Sequence, residues 1–300
     1  MFTLPWPTEA AVDRSHTTRK FSAPGSNLVL DFHGDPATAE LAVFSDGNHH
    51  MALEAAIRAF VQECDGLRDV FYTTTPPAPL VDALKGDGLV LGNLCIGRKP
   101  DVFISPENIL DSLVDDGFVA RHAAFAESRG NVILVRRGNP KSIQAIGDLL
   151  SDEVCITCSN PQSEKASFVV YRETAEKLSL SSGVDAEALV AKLSIAGERT
   201  VHSQVIHHRE VPTLIASGQA DAAIIYYHLA LRYTRIFPQE FEIVDISGVS
   251  DSPHQPGNPT TRYHVGVVGD GGRRGHDFVA FLNGPTAQGL YAEHGLLSLH

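Results

Sequence analysis

The sequence predicts an α/β protein in which two successive series of strands and helices build mixed, mostly parallel sheets. Three observations predict it. Strand-like and helix-like segments alternate through most of the 300 residues, several buried strands end in polar loops, and the alternation starts again near Val154. Alternation of this kind is typical of right-handed β-α-β crossovers, which place neighbouring strands parallel. A chain of this length holds one large or two medium domains.

The first series follows an N-terminal arm over residues 1–27 and a short strand, LVLDF, over 28–32. Apolar residues at helical spacing, from Met51 to Phe60, predict a helix over 51–64. β-branched residues predict a strand over 131–136. The other elements predicted by the same signals are strands over 41–44, 70–73 and 101–105 and helices over 80–85 and 109–115.

The second series repeats this order. Pro212 is expected in the first turn of its helix, and Gly295 is expected to end the last helix. The segment over 247–261 is rich in Ser, Pro, Gly and Asp and is predicted to be a loop. The predicted strands cover 154–158, 201–207, 220–226, 241–246 and 263–268, and the helices cover 167–178, 210–217, 276–283 and 286–294.

Polar residues follow the buried strands, which predicts a ligand-binding cleft. The segment LIASGQADAAIIYY, over 214–227, is predicted to contain the end of a helix, a glycine that terminates this helix, and a buried strand. The strand ends at Tyr226 and Tyr227. Ligands of open α/β sheets bind beyond the carboxyl ends of strands. Three more strands end in polar loops, in AVFSDGNHH, VFYTTTPP and DVFISPEN. Four such loops favour a composite cleft over a single catalytic residue.

The composition and motifs of the chain exclude several classes of function. A formal net charge of −12 argues against nucleic acid, whose binding depends on Lys and Arg. No apolar run is long enough to span a membrane. The four cysteines are too few for a disulfide scaffold, and Cys155 and Cys158 are expected to be buried strand residues. We find no P-loop, nucleophile elbow, HExxH or dinucleotide motif, so we expect neither an enzyme nor a cofactor.

Six collinear motifs resemble one family. In order, they are AVFSDGNHHMALEAAIRAF, YTTTPPAPLVDAL, KPDVFISPENILDSL, GNVILVRRGNP, IASGQADAAIIY and FVAFLNGPTAQGLYAEHGL. Across about residues 41–295 they resemble the type II periplasmic-binding-protein-like superfamily, and within it the molybdate-binding proteins of ABC transporters. The resemblance implies two lobes with an interlobe cleft. Lobe 1 is expected over 28–125 plus 269–300 and lobe 2 over 126–268, with crossing segments near 125–131 and 240–268.

A tetrahedral metal oxyanion, such as molybdate or tungstate, is the first ligand class that the resemblance implies. Hydroxyl groups and backbone N–H groups at helix N-termini suit such an anion. A lysine adds a charge-assisted bond. The candidate ligand-binding residues are Asp46, Asn48, His49, Thr74, Thr75, Ser105, Lys165, Ser167, Tyr226 and Tyr227.

A transition-metal cation, ferric or divalent, is the alternative ligand. Gly47-Asn48-His49 and Tyr226-Tyr227-His228 also resemble loops of ferric-binding proteins of the same fold. Imidazole, carboxylate and phenolate groups suit such ions. The residues of this alternative are His49, Glu107, His208, Glu210, Tyr226 and Tyr227. On the predicted strand over 201–207, one of the adjacent pair His207 and His208 is expected to face away from the site.

Partners and location follow from the resemblance and the N-terminus. A solute-binding protein of this kind is expected to be a monomer that takes a small inorganic ligand and works with an ABC permease in the periplasm. The first residues, MFTLPWPTEAAVDRSHTTRK, lack an apolar signal sequence. A cytoplasmic ligand sensor on the same fold therefore stays an alternative.

Overall fold

A computed structural model describes residues 32–91, 94–204, 207–246 and 257–299. These residues fall into two compact units, divided after Glu127 and after Thr260. We call residues 32–127 and 261–299 lobe one, and the described residues of 128–260 lobe two. The predicted arm over 1–27, nearly all of the strand over 28–32 and most of the loop over 247–261 lie outside the described residues. In the described segments no helix is long and apolar enough to cross a membrane.

The strands of lobe one are β1 Phe32–His33, β2 Leu41–Ser45, β3 Val70–Thr74, the hairpin β4 Leu89–Leu91 and β5 Leu94–Ile96, β6 Val102–Pro106, β7 Val119–Ser128, β13 Arg262–Val268 and β14 Leu296–Ser298. Seven of them form one sheet in the order β1-β3-β2-β6-β13-β7-β14. β2 is parallel to both β3 and β6, whereas β13 is antiparallel to β6 and β7. The helices are α1 His50–Glu63, α2 Pro77–Lys85, α3 Glu107–Asp115, α8 Gly275–Leu282 and α9 Pro285–Glu293.

Helices cover both faces of this sheet. Leu41 and Val43 of β2 point to the face packed by α1, α8 and α9, whereas Ala42 and Phe44 point to the face packed by α2 and α3. Side chains alternate between faces along a strand, so a strand buried on both faces reads as a continuous apolar run. The apolar run LAVF is therefore what is expected of a strand, such as β2, that lies inside the sheet with both faces covered.

The strands of lobe two are β8 Asn131–Arg136, β9 Ile156–Cys158, β10 Thr200–His202, β11 Ala222–Tyr226 and β12 Phe241–Val244. They form a five-stranded sheet in the order β10-β9-β11-β8-β12. β10, β9 and β11 are parallel, and β8 is antiparallel to its neighbours β11 and β12. The helices are α4 Lys165–Ser182, α5 Ala186–Ser194, α6 His207–Ala216 and α7 Tyr227–Ile236, with a 3-10 helix at Ile146–Leu150.

The structure confirms the predicted α/β class and most predicted elements, and it corrects several details. The prediction omitted β7, the β4–β5 hairpin, β14, α5 and α7. The predicted strand over 201–207 is wrong at its end, because His207 begins helix α6 and Pro212 lies beyond its first turn. β13, which the prediction counted in lobe 2, pairs with β6 and β7 of lobe one.

Candidate functional site

Three strand ends of lobe one are joined directly to each other. β2, β3 and β6 are parallel, so their carboxyl ends lie at the same edge of the sheet. The Thr75 amide donates to the Ser45 carbonyl at 3.0 Å, and the Asp46 amide donates to the Ile104 carbonyl at 3.2 Å. The structure therefore brings together, within one lobe, the predicted residues Asp46, Asn48, His49, Thr74, Thr75 and Ser105.

Asp46 holds the loop that follows β2. Its Oδ1 atom accepts the Asn48 amide at 3.0 Å, an Asx turn. Asp46 is 3% exposed, and its Oδ2 atom has no hydrogen-bond partner among the described residues. Burial raises the pKa of Asp46 to about 7, and the bond from Asn48 only partly opposes this rise. Near neutral pH this side chain is therefore divided between a carboxylate and a carboxylic acid that can donate a hydrogen bond.

His49 is a buried residue of the lobe-one core. Its Nδ1 atom lies 2.9 Å from the Tyr291 hydroxyl and its Nε2 atom 3.1 Å from the Ser45 hydroxyl. Ser45 donates its own proton to the Asp46 carbonyl, so Nε2 must carry the histidine proton and Tyr291 must donate to Nδ1. The His49 ring also packs at 4.5 Å from the Tyr263 ring. A metal ion could bind His49 only by displacing one of these partners.

Hydroxyl groups dominate the other two strand ends of lobe one. Thr74, Thr75 and Ser105 are all buried. In the described segments, the Ser105 hydroxyl has no hydrogen-bond partner. Helix α2 follows Thr75 through the sequence Pro76-Pro77, and proline carries no N–H group. At the end of β3, the threonine hydroxyls are therefore the main donors available to an anion.

Serines and one glutamate line the strand ends of lobe two. The Ser167 hydroxyl lies 2.9 Å from the Ser159 hydroxyl and 3.1 Å from the Glu164 carbonyl. The Glu164 carboxylate accepts the His207 amide at 2.7 Å and the hydroxyl of Ser203. Lys165, the first residue of α4, is exposed. This edge combines hydroxyl donors with a carboxylate that already accepts hydrogen bonds.

The two candidate tyrosines have different surroundings. Tyr226 ends β11 and is buried, with its ring 5.6 Å from Tyr171 and 5.2 Å from His228. Tyr227 begins α7 and is half-buried, and the Arg129 guanidinium lies 5.2 Å above its ring. Aromatic faces attract guanidinium groups, so Tyr227 holds Arg129 at this strand end.

The residues of the metal alternative are divided between the two lobes. Glu107 is exposed and lies 4.0 Å from His264 in lobe one, whereas His208 and Glu210 belong to α6 in lobe two. His207 and His208 are both buried at the start of this helix, so the strand alternation expected for this pair is wrong. Burial lowers the pKa of His207 to about 3. Within the described ranges no group of three or more His, Cys, Asp or Glu residues could hold a metal ion.

Sequence reasoning missed Arg129, Ser203 and Tyr291. Arg129 precedes Gly130, whose carbonyl accepts the Tyr227 amide at 3.0 Å. The Arg129 Nε atom is buried and has no hydrogen-bond partner in the part of the chain that the structure describes. The pairing of β8 with β11 would have indicated Arg129, because Asn131 lies opposite Tyr226. For Tyr291, 242 residues from His49, the sequence carries no comparable signal.

The profile of the family described as bacterial extracellular solute-binding protein matches residues 41–297. The chain belongs to this family. Among curated relatives, this chain is 23% identical over 186 residues to the molybdate-binding protein ModA of Mycobacterium tuberculosis strain H37Rv. That match covers 60% of this chain and 64% of ModA, so the chain spans slightly less than two thirds of its relative.

Solved structures confirm the two-lobe periplasmic-binding-protein fold. The periplasmic molybdate-binding protein of Azotobacter vinelandii superposes with a TM-score of 0.59 at 16% identity, over 87% of this chain and 100% of that chain. The sulfate-binding protein SubI of Mycobacterium tuberculosis H37Rv superposes with a TM-score of 0.61 at 18% identity, over 87% of this chain and 88% of that chain. At these identities the likeness establishes the fold and leaves the ligand to the residues themselves.

Proposed function

We propose that this solute-binding protein binds a tetrahedral metal oxyanion of the molybdate or tungstate type for an ABC importer. The observation that carries the proposal is the set of buried hydroxyl groups at the ends of β3 and β6, two of the three joined strand ends of lobe one. Their members are Thr74, Thr75 and Ser105. The molybdate-binding relative and the oxyanion-binding proteins of the same fold support the same ligand class.

Neutral donors suit an oxyanion in a buried place. A hydroxyl group compensates the charge of the anion through a hydrogen bond, and it adds no ionic group that would itself need solvation. The buried Ser105 hydroxyl lacks a partner among the described residues, which leaves its proton available to a ligand. Asp46 can add a donor when its carboxyl group is protonated, while His49 positions the loop through Ser45.

Lobe two carries a second set of candidate contacts. Ser167 and Tyr226 supply hydroxyl groups at the ends of parallel strands, and the exposed Lys165 lies two residues before Ser167 in the chain. Arg129 adds a cation that is held by the Tyr227 ring. A guanidinium group forms charge-assisted hydrogen bonds with oxyanions, and these are stronger than bonds between neutral groups.

A thermal-shift screen of the purified protein tests the proposal. Molybdate, tungstate, sulfate and phosphate form one arm, and zinc and ferric citrate form the other. A ligand present at 100 times its dissociation constant stabilises the folded state by about 2.7 kcal/mol. We expect molybdate or tungstate to raise the melting temperature. Stabilisation by zinc or ferric ions alone would instead support the metal-binding alternative.

A further inference from the structure

The Glu164 carboxylate accepts hydrogen bonds from several donors that lie close together in lobe two. One oxygen accepts the His207 amide at 2.7 Å, at the first residue of α6. The other accepts the Ser203 hydroxyl, with the Asn160 amide at 3.4 Å. Glu164 is also the N-cap residue of α4. A hydroxyl group and N–H groups at a helix N-terminus are the donors that bind small anions in other proteins.

Among the residues that the structure describes, no cation lowers the pKa of this carboxylate. The titratable side chains that face it are Glu210 and His207 on α6, Tyr171 on α4 and Cys158 on β9. Burial keeps the pKa of His207 at about 3, so this ring is neutral. Burial also raises the pKa values of Tyr171 and Cys158. Burial first, and Glu210 to a smaller degree, raise the pKa of Glu164.

We propose that Glu164 is a specificity-determining residue whose carboxylate acts as an internal competitor of the oxyanion for the donors of lobe two. This inference rests on the proposed function and names the residue that regulates it. The same N–H and hydroxyl protons cannot serve two anions, and two negative charges this close repel each other. A fully ionised oxyanion therefore uses these donors only after Glu164 is protonated or displaced.

Calorimetric titration of tungstate and sulfate into three proteins tests this inference. The proteins are the wild type, Glu164→Gln and the control Glu176→Gln, which removes an exposed carboxylate from the same helix. At about pH 8 we expect Glu164→Gln to bind the oxyanion about tenfold more tightly than wild type, a gain of about 1.4 kcal/mol. Glu176→Gln should bind like wild type.

The pH dependence separates competition from a merely structural role. Wild-type affinity should rise as the pH falls from about 8 to about 4.5, because the pKa of Glu164 is raised above its ordinary value of 4.5 and the protonated side chain no longer repels the ligand. The ratio of the Glu164→Gln affinity to the wild-type affinity should shrink over the same range. The titration of Asp46 does not affect this ratio, because both proteins contain Asp46. Circular dichroism spectra verify that the variant is folded.

Other outcomes would overturn the inference. Equal or weaker binding by Glu164→Gln at every pH would show that the carboxylate does not compete. If Glu164→Gln does not fold, the Asp46→Asn variant replaces it, because it removes the titration of Asp46 and keeps Glu164. An affinity of Asp46→Asn that does not rise over this pH range contradicts competition. Binding of oxyanions by none of the proteins at any pH would reject the proposed function as well, whereas binding without a Glu164 effect would reject only this inference.

Discussion

Replacement of Asp46 by Asn should stabilise the protein at neutral and alkaline pH. The pKa of the buried Asp46 carboxyl is about 7 in the folded state, against an ordinary value of 3.8. The folded state therefore binds the proton more tightly than the unfolded state, so the free energy of unfolding falls as the pH rises between these two values. Each pKa unit corresponds to about 1.4 kcal/mol, so ionised Asp46 costs about 4 kcal/mol above pH 7.

Urea unfolding at several pH values measures this cost. At about pH 4 we expect similar stability for Asp46→Asn and wild type, because the asparagine oxygen can still accept the Asn48 amide. At about pH 8 the variant should be more stable by as much as about 4 kcal/mol. The exposed Asp82→Asn serves as the control and should show no such difference. Equal stability of Asp46→Asn and wild type at both pH values would refute the argument from burial.

Three further predictions concern single side chains. Tyr291→Phe leaves the buried His49 Nδ1 atom without its donor and should lower the free energy of unfolding by about 1–3 kcal/mol, measured by urea unfolding. Unchanged stability would show that this bond contributes nothing. Arg129→Gln should weaken tungstate binding, measured by calorimetry, by about 1.5–3 kcal/mol, and Arg129→Lys should weaken it by less. Wild-type affinity in both variants would contradict a role for the Arg129 charge. Leu53→Ala, in the lobe-one core, should cost about 2–5 kcal/mol of stability, and a loss below 1 kcal/mol would contradict the packing.

The strand ends of lobe one could be predicted from the sequence because local signals coincide there. Apolar runs such as LAVF stop at polar residues, and a parallel arrangement places those residues at one edge. The prediction for His49 lacked the tertiary information. A histidine in a polar loop resembles a ligand, but the Tyr291 hydroxyl and the Tyr263 ring enclose it in the fold.

The elements that the sequence did not predict depend on tertiary contacts. β7 alternates irregularly between buried and exposed residues, so no clean strand period is present. The segment before α6 contains β-branched residues that favour a strand. In the fold, Glu164 accepts the His207 amide and Glu210 accepts the Gln204 amide, and these two carboxylates satisfy N–H groups where the helix begins. Sequence alone does not show that Glu164 reaches this point, 43 residues away.

Calorimetric titration of the purified protein with molybdate, in the presence and absence of a metal chelator, decides whether the ligand is an oxyanion. We expect saturable binding of one molybdate per chain, with an affinity that the chelator does not change, because hydroxyl and amide donors hold the anion. The absence of binding by molybdate and tungstate, together with chelator-sensitive binding of zinc or ferric ions, would contradict this expectation.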